Sequence, residues 1–161
     1  MGGRGSSSRA VRARTVALNA VRWAKSMIGS PLYGRFRFKD SIIMGVNKCN
    51  IFVADAFNKS NFGQPLEGTP NRGVLKFGVG TMRKFGAGEL YDGRALKFDR
   101  VWRPRKGDIC TDGKHVGIVS GKSMTISVSA YTGTVVENDW GFRGNSGRPQ
   151  RGVRFYRYSG R

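Results

Sequence analysis

The sequence predicts an α+β fold, with helices first and an antiparallel sheet after them. Three observations carry this reading. In the N-terminal third, apolar residues recur every three or four positions, the period of a helix with one buried face. From about residue 97 onward they alternate with polar residues, the period of a strand. Between two of those alternating runs stands Asp112-Gly113, a dipeptide suited to a tight hairpin turn.

Residues 1–9 are Gly, Ser and Arg after the initial Met, with no apolar anchor, and are expected to be a disordered basic tail. The remainder, 10–161, is expected to be a single domain. A helix is predicted over 10–28, with Val11, Leu18, Val21, Ala24 and Ile28 inward and Arg12, Arg14, Arg22 and Lys25 on its wet side. Gly29-Ser30-Pro31 supplies the stop. Next, Tyr33 and Arg35-Phe36-Arg37-Phe38 form a short strand or an extended loop. A second helix opens at Cys49 and runs to about Lys59, ended by Asn58, Asn61 and Gly63. Residues 64–94 hold Pro65, Pro70 and many glycines and read as loop, with a short helix near 81–85. Strands follow over 97–102, 108–111, 115–120, 124–129, 135–136 and 152–158, arranged as a meander. Alternation in the fourth run puts Ser127 and Ser129 on one face.

Composition narrows the function classes. Twenty-nine Lys+Arg against 10 Asp+Glu give a net charge of +19, so polyanions are the expected partners: nucleic acid, anionic lipid or an acidic wall polymer. Two cysteines in 161 residues do not make a disulfide framework. No apolar run is long enough for a membrane span, and the N-terminus lacks the apolar core of a secretion signal. Met1-Gly2-Gly3-Arg4-Gly5-Ser6 fits the spacing for N-myristoylation, although a Gly/Ser/Arg tail meets that spacing by chance. One histidine and two cysteines on separate elements have no metal-ligand spacing, and no phosphate-loop motif is present, so neither a metal nor a cofactor is expected.

The chemistry-bearing residues are Cys49 and His115. His115 is the only histidine in the chain, so any Cys/His chemistry has one possible base. A helix N-terminus and a nearby imidazolium both lower a thiol's pKa, and Cys49 opens its helix while His115 begins a strand just after a turn. Lys48 beside the thiol would favour the thiolate further. The plainer reading is that Cys49, among Ile51, Phe52 and Val53, is a small buried hydrophobe. Cys110, inside an alternating strand, reads as core.

Motif order points to a family. Ala17 to Tyr33 includes Met27-Ile28-Gly29-Ser30-Pro31-Leu32-Tyr33, which resembles the lead-in helix and turn of NlpC-type cell-wall peptidases. Lys48-Cys49-Asn50-Ile51-Phe52-Val53 sits where that family has D-C-S-x-F-V. Pro104-Arg105-Lys106-Gly107-Asp108-Ile109 looks like its P-x-x-G-D strand, and Lys114-His115-Val116-Gly117-Ile118-Val119 like its H-V-G-I-Y strand. CHAP amidases and amidase effectors of type VI secretion share the order. The resemblance implies a papain-like, NlpC-type fold that cuts peptidoglycan amide bonds through an acyl-enzyme, with Cys49 as nucleophile and His115 as acid and base. The third polar residue would be Ser127 or Ser129, where His, Asn or Glu is commoner, with Asn138 and Asp139 in reserve. Lys48 and Asn50 replace the motif's Asp and Ser and would lie on the oxyanion and substrate side. The resemblance further implies action at the cell wall or periplasm after export by an effector machine, a virion or lysis. An immunity or inhibitor protein is then a possible partner.

Two other readings stay open. Arg35-Phe36-Arg37-Phe38 and Arg154-Phe155-Tyr156-Arg157-Tyr158 interleave cations with aromatics, as single-strand nucleic-acid binders do, and Arg4, Arg9, Arg12 and Arg14 could form a basic arm. Papain-like Cys/His sites also transfer acyl groups.

Overall fold

The structure is a computed structural model, described over residues 4–34, 48–60, 91–93, 97–140, 142 and 152–160. The run Arg35-Phe36-Arg37-Phe38, the lead-in over 41–47 and most of the glycine-rich stretch, including 81–85, lie outside the described residues.

Helix α1 (Arg4–Ser26) buries small side chains at helical spacing: Ala13, Val16, Ala17, Ala20, Val21 and Ala24. Two expectations change here. The helix starts at Arg4, so residues 4–9 extend it instead of forming a disordered tail. Once the buried stripe has nucleated the helix, each further residue adds a hydrogen bond at little cost. The buried face also differs in part: Val21 and Ala24 are buried as expected, but Val11 and Ile28 are 66% and 46% exposed, and Ala13, Val16, Ala17 and Ala20 take the core. Small residues let the sheet approach. A Cβ at Gly107 would lie 2.9 Å from Ala17 Cβ and the same distance from its carbonyl oxygen. The helix gives way to Gly29, whose φ of +85° is the left-handed conformation that ends helices.

Helix α2 (Cys49–Ser60) is apolar around most of its circumference and is buried accordingly, with Ile51, Phe52, Val53, Ala56 and Phe57 at 0–1% exposure. Its one acid, Asp55, is also buried, and its carboxylate accepts the Tyr33 hydroxyl at 2.7 Å. Tyr33 and Phe52 stack edge to face at 5.3 Å, which ties the turn after α1 onto α2.

The strands are β1 (Phe98–Val101), β2 (Ile109–Thr111), β3 (Val116–Gly121), β4 (Met124–Val128), β5 (Val135–Asp139) and β6 (Arg154–Tyr158), all antiparallel, in the order β1-β6-β2-β3-β4-β5. From β2 to β5 the chain is the expected meander. The last strand departs from it by inserting between β1 and β2, pairing Ile109 with Tyr156 and Phe98 with Tyr158. β5 is longer than expected, so Asn138 and Asp139 are strand residues and not part of a turn.

Alternation gives the sheet two apolar faces. Ile109, Val116, Ile118, Ile126, Val128, Val135, Tyr156 and Tyr158 pack against the helices. Cys110, Val119 and Phe155 form a second cluster with Val101, Trp140, Phe142 and Val153. The aromatics of β6 are thus consumed: Phe155, Tyr156 and Tyr158 are buried. Arg157 forks onto Asp108, and Arg154 lies 3.8 Å over the Tyr91 ring. Among the described residues no helix is long and apolar enough to cross a membrane.

Candidate active site

Cys49 is the first residue of α2, and the preceding carbonyl, of Lys48, accepts the first helical bond from Phe52 N–H at 3.0 Å. Cys49 is 5% exposed. Burial raises the thiol's pKa and is the largest influence on it. Backbone N–H groups of Val116, Asn50 and Cys49 itself point at the sulfur and oppose that rise, while the Asp112 carboxylate adds to it. The expected depression by the helix terminus is therefore present, but desolvation outweighs it.

The Val116 N–H is what joins the two motifs, because it brings the His115–Val116 peptide to the Cys49 sulfur. A short braced turn sets this peptide. Asp112 Oδ1 accepts the N–H of His115 at 2.6 Å and that of Lys114 at 2.9 Å. Thr111 Oγ1 donates to the His115 carbonyl at 2.8 Å and accepts Gly113 N–H at 3.1 Å. Gly113 takes φ +89° to allow the reversal. The imidazole is half-buried and lies 5.5 Å from the Phe142 ring at 32°. Its position is thus defined by backbone bonds on both sides and a ring contact.

The four candidate third residues go to different places. Ser127 is buried opposite Gly117, on the strand beside the one that His115 precedes. Ser129 lies past the end of β4, and its hydroxyl accepts the N–H of Tyr131 and of Thr132 at 3.2 and 3.1 Å, bracing a turn. Asn138 pairs with Thr125, farther along the sheet and away from the His115 end. Asp139 pairs with Met124 at the last register position, on the opposite parity from Ser127, and is buried. Ser127 thus lies in β4 beside β3, and Ser129 just beyond the end of β4.

Lys48 is held from the Gly34 side. Its side chain is wholly buried and donates to the Gly34 carbonyl at 3.0 Å, and burial lowers its pKa. That bond pins the start of α2 to the turn at Gly34, where an added Cβ would meet Gly133 O. Asn50 is half-buried and contributes its backbone N–H.

The other two motif positions have structural work. Asp108 is buried and accepts Arg157 Nε at 2.9 Å, Arg157 Nη2 at 2.8 Å and Arg105 N–H at 2.7 Å. Gly117 is a glycine because a Cβ there would fall 2.4 Å from Thr125 Cγ2 and 2.8 Å from Ile126 O. The sequence reading missed Asp112 as the carboxylate beside the pair, Phe142 against the imidazole, and the Tyr33–Asp55 bond. Asp112-Gly113 was visible as a turn, and an Asp that opens a turn before a histidine was the available signal.

No family model matches the sequence, and no curated protein matches it. Among solved structures, the P60 domain of an M. avium subspecies paratuberculosis antigen aligns with 92% of this chain and 98% of its own, with a TM-score of 0.53 and 14% identity. At that identity the likeness establishes architecture: the chain has an NlpC/P60-like α+β fold, helices on one face of an antiparallel sheet.

Proposed function

We propose that the protein is a cysteine amidase or peptidase that cleaves amide bonds in the peptides of the cell wall. The observation that supports this reading is the backbone N–H of Val116, the residue after the chain's only histidine, at the sulfur of Cys49, which opens α2. The P60-domain likeness supports the same reading through the fold.

In this reading the neutral thiol is activated on demand. The Cys49 S–H proton passes to the His115 imidazole as the sulfur attacks the amide carbonyl. The N–H groups of Cys49 and Asn50 hold the oxyanion, donors of a kind worth roughly 10²–10³ in rate. The imidazolium gives its proton to the leaving amine. Water then adds to the thioester with His115 as base, which frees the acid and restores the thiol. Ser127 is the residue we assign to orient the imidazole.

Purified peptidoglycan incubated with the protein, followed by mass analysis of released fragments, tests the proposal. Hydrolysis leaves a new carboxyl and a new amine, whereas acyl transfer leaves the acyl group on an acceptor. Folded Cys49→Ala and His115→Ala proteins should release nothing. Full activity in folded Cys49→Ala would refute it.

A further inference from the structure

A second feature lies away from the thiol. Arg22 on α1 and Lys59 on α2 face one cleft of about 330 Å³, completed by Asn19, Trp23 and Ser60. Arg22 Nη1 donates to Asn19 Oδ1 at 3.1 Å, and the Ser60 hydroxyl is spent on the Ala56 carbonyl at 2.6 Å. Two other cations are in ion pairs: Lys25 faces Glu137 at 3.8 Å, and Arg157 holds Asp108 at 2.8 Å. Among the described residues, neither Arg22 nor Lys59 has a carboxylate within ion-pair reach, and no acid lines the cleft. Its floor is rigid, because the half-buried Trp23 indole packs on Phe52 at 5.7 Å and on Tyr33 at 6.3 Å. Two cations on separate packed helices that line one cleft with an indole, and that have no ion-pair partner among the described residues, suit one small anionic group carried on an apolar or planar segment.

We propose that this cleft is an anion subsite that takes a carboxylate or a phosphate group of the polymer the protein acts on. Lys59 and Ser60 close the end of α2 opposite Cys49, about 15 Å away by helical rise. A polymer can therefore be anchored at the cleft while another part of it reaches the thiol. The identity of the polymer rests on the function proposed above, but the anion site does not, since binding is read without turnover.

The test follows the three tryptophan indole N–H signals by heteronuclear NMR, with Trp23 identified by Trp23→Phe. Inorganic phosphate and sodium acetate are titrated at constant ionic strength. The Trp23 signal should move saturably while those of Trp102 and Trp140 stay. Arg22 and Lys59 are both exposed, so Arg22→Gln and Lys59→Gln should fold normally and each weaken binding by about fivefold. Parallel titrations with muropeptides and with a phosphodiester-bearing wall polymer distinguish a carboxylate source from a phosphate source. Uniform small movement of all three indoles, or unchanged binding in the double variant, would overturn the site and show only bulk attraction to a +19 chain.

Discussion

Raising the pH separates burial from ion pairing at Cys49. An ordinary thiol titrates near ~8.5, so about 3% of it is thiolate at pH 7. Burial raises Cys49 above its ordinary value, which puts the reactive fraction lower still. Below its pKa, that fraction grows tenfold per pH unit, so alkylation by iodoacetamide should rise about a hundredfold between pH 6 and pH 8 without levelling off. Cys110 is an internal reference, because it is wholly buried and its thiol is also pushed up by burial. It should stay unlabelled while the fold holds. Intact mass and peptide mapping at stepped pH would measure both sites. Levelling of Cys49 labelling below pH 7 would refute the argument, because it requires a preformed thiolate–imidazolium pair. The same shifts predict alkaline sensitivity. Below about pH 8.5 folded and unfolded chains both keep these protons and nothing is lost. Above it the unfolded chain releases them first, and stability falls by up to about 1.4 kcal/mol per pH unit for each thiol until the folded thiol also ionises.

Two further substitutions test the scaffold. Asp108→Asn keeps the shape but leaves the Arg157 guanidinium without its carboxylate; with Arg157 30% exposed, the loss should be about 2–3 kcal/mol. Removing Glu137, whose contact with Lys25 is long and open, should cost under about 0.5 kcal/mol in the same thermal melts, and equal losses would contradict this ranking. Gly117→Ala should cost about 1–3 kcal/mol or more by forcing β3 from β4. It should also shift the pH profile of Cys49 alkylation, since Val116 would move from the sulfur; an unchanged profile would argue against that contact.

Much of the sheet was legible because strand alternation and the Asp112-Gly113 turn are local signals. Placing Cys49 at a helix start was equally local, because an apolar run of helical length begins there. The buried face of α1 was legible only in part: Val21 and Ala24 lie inward as expected, whereas Val11 and Ile28 do not. Val11 and Ala13 both fit a helical stripe, and the choice depended on Gly107 coming within contact of Ala17. The place of β6 was invisible for a similar reason: strand order depends on which edges meet, and nothing within Arg154–Tyr158 specifies that it lies between β1 and β2. That insertion turned an apparent row of cations and aromatics into core and ion pair.

What the sequence alone determined, then, was periodicity and order: helices first, strands after, a thiol opening one helix and a single histidine following a turn. These are properties of neighbours along the chain. The tertiary structure decided what each residue meets. It set Val116 N–H against the sulfur, turned Lys48 inward to Gly34, and spent Ser129 on a turn while carrying Ser127 beside the histidine strand. It also let desolvation outweigh the helix terminus at Cys49. Burial is set by the atoms that surround a group, and those come from every part of the fold.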